Sequence, residues 1–185
     1  MDFKGGLSVQ LTSGLGETDP ECGREGKWVY YRGQTAGGDM RIFKVPIAGG
    51  EPVQVSEGFT FSPPCLSPDE KHVLFAHPQE DGKVVGSIVS SSSGQNEFVL
   101  ENPTFDPTSQ AMYWQPDGRH VVMADIRTGS SNLWALPVLG AGQEKQLTHF
   151  TTGIVWSFQY SPDGESIAMA RGSDQNDVVL FRSAP

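Results

Sequence analysis

An all-β fold built from four similar units follows from three features of this 185-residue chain: a recurring turn motif, a steady spacing between its copies, and a composition rich in turn formers. The 22 Gly and 13 Pro suit many short strands and tight reversals better than long helices. Three segments, Cys65–Phe75, Tyr113–Met123 and Gln159–Met169, share one pattern of a short strand, a Pro-Asp turn and an apolar strand. A degenerate fourth copy spans Glu21–Tyr31. The acidic turn residues Glu25, Asp69, Asp117 and Asp163 lie 44, 48 and 46 residues apart, which is about one four-stranded propeller blade. The sequence therefore predicts a single β-propeller domain over 1–185 with about four four-stranded blades.

Each copy reads as a hairpin, because Pro presets φ ahead of a turn while Asp and Gly accept the backbone angles inside it. Third strands are predicted at Met40–Val45, Val85–Ser90, Asn132–Leu136 and Asp177–Phe181. Outer strands follow small-residue turns and fall at Pro52–Ser56, Glu97–Leu100 and Lys145–Thr148. The blades then cover about 18–56, 61–100, 109–148 and 155–183. The last copy lacks an outer strand, while 7–12 matches the end of the third blade at Gln146–Thr148. Pairing of that N-terminal strand with the last blade would close the ring without exposed edges.

Alternation along the strands places Cys22, Leu66, Trp114 and Tyr160 on one face with Val29, Val73, Val121 and Ile167, which predicts packing between blades. Cys22 and Cys65 sit one residue out of register, so they point to opposite faces and are expected as free, packed thiols. His72 and His120 share a repeat position with Trp28 and Ser166, which argues for a structural environment over metal ligation. His77 and His149 fall near predicted loops. No metal and no cofactor are expected.

The net charge of -9 and pI near 4.8 argue against a general nucleic-acid scaffold, which needs clustered Lys and Arg. Cationic or peptide partners stay open. No apolar run approaches the roughly 18 residues needed to cross a bilayer, and the N-terminus lacks the signal-peptide pattern. Neither nucleic-acid binding nor membrane insertion by this chain is expected, and monomer and homodimer are both open.

The motifs resemble the WD40-like propeller repeat of the TolB type, in which an aromatic precedes Ser-Pro-Asp-Gly and a Leu-Thr ends the blade. Tyr160-Ser161-Pro162-Asp163-Gly164 and Leu147-Thr148 match it in full; Trp114-Gln115-Pro116-Asp117-Gly118 departs at the Ser, and Cys22-Gly23-Arg24-Glu25-Gly26 departs most. The stretch from Asn132-Leu133-Trp134 through Gln146–Phe150 to Asp177–Leu180 is similar to the closing blades of the propeller sensor region of bacterial receptor-type serine/threonine kinases. That resemblance implies a periplasmic or extracytoplasmic setting. Met1–Gly6 resembles the join between a third and an outer strand, so the chain reads as a fragment or short homologue of a larger propeller.

Catalytic motifs of the neighbouring classes are absent from the sequence: no kinase motif set, no Gly-x-Ser-x-Gly elbow, no dinucleotide fingerprint and no P-loop lysine. Propellers engage ligands at rim loops or the channel mouth, where rigid blades present variable connections. Thr18, Ser62, Gln110 and Trp156 share one repeat position near the predicted mouth, and Trp156 offers a stacking surface. Arg32, His77, Asp125 and Arg171 lie around the exits of the second strands. The expected role is a non-catalytic protein- or ligand-binding and sensing module, part of a kinase-linked signalling protein. The alternatives are an accessory propeller of a prolyl-oligopeptidase-type serine peptidase and a self-assembling half-propeller.

Overall fold

The computed structural model describes residues 8–101, 112–138, 140, 142–161 and 163–173. The first blade comprises β1 (Thr18–Cys22), β2 (Trp28–Gln34), β3 (Met40–Pro46) and β4 (Val53–Gln54), hydrogen-bonded in that order. The second holds β5 (Cys65–Leu66), β6 (His72–Pro78), β7 (Val84–Ser90) and β8 (Asn96–Glu101), and the third β9 (Met112–Trp114), β10 (His120–Asp125), β11 (Asn132–Pro137) and β12 (Lys145–Gln146). Of the fourth, β13 (Ile154–Tyr160) and β14 (Ile167–Gly172) form a two-stranded sheet. All pairings are antiparallel.

The repeated turn has one geometry in all four blades. Glycine or glutamate at its fifth position donates its N–H to the carbonyl of the second residue, from Gly26 to Gly23, Glu70 to Ser67, Gly118 to Gln115 and Gly164 to Ser161, at 2.8–2.9 Å. That fifth residue has positive φ each time, and Glu70 (φ 57°) adopts it without the freedom of glycine. Asp69, Asp117 and Asp163 turn a carboxylate oxygen onto the N–H two residues ahead. The degenerate first copy keeps the backbone geometry while Glu25 pairs with Lys27 instead.

The Leu-Thr at a blade's end has an equally plain reason. Leu147 N–H donates to the Leu133 carbonyl, and Thr148 Oγ accepts the Leu133 N–H at 2.9 Å, continuing the outer ladder after β12 stops. Val55 and Ser56 do the same with Ile42 in the first blade. Thr148 Oγ also donates to Asn132, a fully buried amide that holds both backbone groups of Phe150 and fixes the path into the fourth blade.

Burial lies between blades. Tyr30, Ile42 and Val55 of the first pack with Val73, Phe75 and Val89 of the second. Leu74, Ala76 and Ile88 meet Trp114, Val121 and Met123 of the third, whose other face, Val122, Ala124 and Leu133, meets Val155, Phe158, Ile167 and Met169 of the fourth. The sequence-predicted pairs across each hairpin are direct neighbours: Cys22 with Val29, Leu66 with Val73, Trp114 with Val121 and Tyr160 with Ile167.

Two expectations are modified and a third falls outside the described residues. Residues 8–12, expected as an outer strand, carry no strand pairing; the segment is tied to the first blade where Gln34 N–H donates to the Leu15 carbonyl. Leu7, residues 109–111 and Asp177–Phe181 lie outside the described residues, so the partners required for closure of the last blade do too. Both cysteines are free, but only Cys65 packs against a core cluster; Cys22 is exposed, since its face of the first blade points away from the second.

Trp114 is 6% exposed and its indole N–H donates to the Cys65 carbonyl at 3.1 Å. Trp114→Ala should lower unfolding free energy by about 3–5 kcal/mol, read from the denaturant midpoint, because it leaves both a cavity and an unmatched carbonyl. Burial pushes the Cys65 thiol up to about 12. A thiol reagent at pH 8 should therefore modify one cysteine, Cys22, in the folded protein and two after unfolding, as counted by mass.

Candidate binding surface

Thr18 is exposed and donates its hydroxyl to Asp19, which in turn pairs with Arg32 at 2.6 Å. Arg32 also donates to the Phe61 carbonyl, so this cluster bridges the first blade to the connection entering the second. Ser62, next in that connection, is buried: its Oγ accepts the Ala76 N–H at 2.6 Å while Thr60 Oγ donates to the Ala76 carbonyl. Ser62 is therefore not a ligand-facing residue. It satisfies a backbone edge that the two-residue β5 is too short to reach.

Asp125 is likewise not at an open rim. It is 0% exposed, pairs with Arg127 at 2.6 Å and accepts the Arg127 N–H; Arg127 lies over the Trp134 ring and reaches Glu144. Trp156 is 40% exposed and rests on Gly172, where any Cβ would collide with its ring. Arg171 lies over Phe150 and donates to the Thr152 carbonyl. Gln110 lies outside the described residues. The predicted residues thus separate into a Thr18–Arg32 cluster, a Trp156–Arg171 cluster, and His77.

The sequence reading missed a groove of about 570 Å³ between residues 10–17 and the first blade. Its floor is the stacked pair Tyr31 and Phe43, centroids 5.9 Å apart. Both rings lie over Gly33, whose missing side chain leaves them room, since a Cβ there would stand 3.1 Å from Tyr31 and 3.3 Å from Phe43. Opposite, the Glu17 carboxylate accepts the Thr12 hydroxyl and the Gly14 N–H, folding the segment into a wall; Gly16 turns it at φ 63°. Gln10, Gln34 and Glu51 complete the lining. Burial, with the nearby Glu17 charge, raises the Tyr31 phenol above its usual range. The signal that could have revealed this wall was Gly14-Leu15-Gly16, a turn sequence directly after the supposed strand.

A second groove, about 440 Å³, opens between the first two blades and is lined by Glu57, Phe75, His77, Ser87, Gln95 and Asn96 among others. His77 Nε2 stands 2.8 Å from Ser87 Oγ, and its Nδ1 stands 3.2 Å from the Pro78 carbonyl.

The same pair of blades holds Glu21, whose carboxylate accepts the Leu66 N–H. Burial pushes its carboxyl up to about 7, against the lowering effects of the Leu66 N–H and Arg24. Between the ordinary value of 4.5 and about 7 the folded chain holds a proton that the unfolded chain has released, so stability falls as pH rises through that window. Glu21→Gln should remove this dependence. At pH 8 the variant should melt above the wild type by about 2–4 °C per kcal/mol recovered, and at pH 4 the two should melt together, as followed by circular dichroism.

Sheets stacked face to face in chain order, each begun by the same hairpin, define a β-propeller array. No family model matches the chain, and neither does any curated protein. Among solved structures it is similar to a TolB-type protein from Agrobacterium tumefaciens, with 20% identity and a TM-score of 0.75 over 89% of this chain and 58% of that one. It is also similar to TolB from Acinetobacter baumannii, at 20% identity and TM-score 0.72, over 87% of this chain and 39% of that one. A puromycin-hydrolyzing peptidase from Mycobacterium tuberculosis matches at 17% identity and TM-score 0.56, over 84% and 28%. The chain has the β-propeller fold of the TolB type and spans less than two thirds of the length of these proteins.

Proposed function

We propose that this chain is a binding module that takes a segment of a protein partner into the groove beside its first blade. The groove itself carries the reading: an aromatic floor of Tyr31 and Phe43, with Glu17 and Glu51 at its sides. Aromatic faces supply apolar area and attract cations, and the two carboxylates favour the same charge. A net charge of -9 steers a basic partner towards the whole molecule. The favoured ligand is a peptide segment that combines Lys or Arg with a large apolar side chain.

Placement at the sensory end of a kinase-linked protein is supported by the resemblance of Asn132–Trp134 and Gln146–Phe150. A role as the accessory propeller of a peptidase is supported by the likeness in fold to the puromycin-hydrolyzing enzyme. Both placements leave the groove as the contact surface.

Selection of a displayed random-peptide library on the folded chain tests the proposal. Enriched peptides should carry Lys or Arg beside an aromatic or aliphatic residue. Their affinity should fall at least tenfold with Phe43→Ala or with Glu51→Lys, and weaken with added salt. Peptides that bind both variants at wild-type affinity would place the contact elsewhere.

A further inference from the structure

The groove between the first two blades lies at a departure from the repeat. Cross-strand register aligns Phe43, Ser87 and Trp134 as equivalents, paired respectively with Tyr31, Phe75 and Met123. In the first blade Phe43 stacks on Tyr31, and in the third Trp134 lies under Arg127. The second blade puts a serine where its neighbours put an aromatic ring. Ser87 stands in the wall of the 440 Å³ groove.

His77 stands at the matching position on β6, where the first blade has Gly33 and the third has Asp125. Its Nδ1 faces the Pro78 carbonyl, which only accepts, so the proton of the neutral ring belongs on Nδ1. Nε2 then presents its lone pair to Ser87 Oγ at 2.8 Å, and Ser87 donates its hydroxyl proton to it. A nucleophile within reach of a base, with the base oriented by a third group, is the arrangement that activates serine. Both residues lie on paired strands, so their geometry is held by the sheet. Ser87 is 3% exposed and lines the groove. Gln95 and Asn96 line the same groove, and their residue type carries the N–H donors that a developing oxyanion calls for; Phe75, Val89 and Glu57 line it as well.

We propose that His77 and Ser87 form a base–nucleophile pair that takes an acyl group from small esters whose acyl part is uncharged or cationic. Ser87 Oγ bonds to the ester carbonyl carbon while its proton passes to His77 Nε2. Collapse of the tetrahedral adduct breaks the bond to the alkoxy oxygen, which receives that proton and leaves as the alcohol. Water, deprotonated by His77, then attacks the acyl-serine; the acid is released and the proton returns to Ser87. The activity goes beyond the binding reading and does not rest on it.

The test incubates the 185-residue chain with p-nitrophenyl acetate and, separately, with a fluorophosphonate probe. The expected results are p-nitrophenolate release above buffer and one probe adduct, mapped by peptide mass to Ser87. Ser87→Ala should abolish both. His77→Gln should slow both by about 100-fold or more, with a circular dichroism melt confirming that it is folded. Ser92→Ala, at an exposed serine outside the groove, should react as wild type. Absence of an adduct on Ser87 in the wild type overturns the proposal, and so does labelling that survives His77→Gln unchanged. Neither reading depends on whether Ser87→Ala folds.

Discussion

A blade of this protein has two apolar faces, and neither is buried by the blade itself. Everything else follows from stacking them. Each seam sets medium or large residues on the leading face of one blade against the trailing face of the blade before it: Val73 and Phe75 against Tyr30 and Ile42, Val121 and Met123 against Leu74 and Ala76, Ile167 and Met169 against Val122 and Ala124. Alanine at 76 and 124 makes room for the methionine that enters from the next blade, a volume match of the kind close packing demands. In the fourth blade the equivalent positions, Gln159, Ala168 and Ala170, are exposed. Units that bury surface only against neighbours gain stability seam by seam, so the weakest seam governs the array.

The first seam carries several charged side chains. Lys44 is buried there, its Nζ donating to the Ser91 carbonyl at 2.5 Å and lying 4.7 Å from the centre of the Trp28 ring, and burial lowers its pKa. Glu21 reaches across to Leu66 and Arg32 to Phe61. Glu70 completes the set. Its left-handed backbone costs about 1 kcal/mol relative to glycine, while its carboxylate accepts the Glu25 N–H at 2.9 Å from the neighbouring turn. The strain is offset by a bond that glycine could not make. Buried charges that each need a partner fix how two blades sit more tightly than they stabilise them.

Local chemistry explains what the sequence made legible. The hairpin turn is a property of five residues and their backbone bonds, so even Cys22–Gly26 could be recognised without Pro or Asp. Period-two alternation then located Trp114 and Ile167 at seams with no knowledge of the neighbouring blade. The sites were another matter. Ser62 and Asp125 look like rim residues in sequence, and they are consumed by an unpaired backbone edge and by Arg127. The groove wall at residues 10–17 depends on where a segment with a strand-like pattern goes after Thr12, and a one-dimensional pattern does not carry that. Its decisive contact, Leu15 with Gln34, lies outside any repeat.

Repetition is also what makes the second groove interpretable. An isolated serine beside a histidine is ordinary. Here two of three equivalent positions, Phe43 and Trp134, carry an aromatic ring, and the third carries a serine. Phe43 stacks on Tyr31 and Trp134 lies under Arg127, contacts that Ser87 cannot make, so the second blade gives up ring packing beside its 440 Å³ groove. Burial of an aromatic side chain stabilises a core by about 2–3 kcal/mol, and the Ser87–His77 hydrogen bond returns about 1. Packing alone therefore does not account for a serine at this position, whereas chemistry that needs an oxygen beside an imidazole in an open groove does.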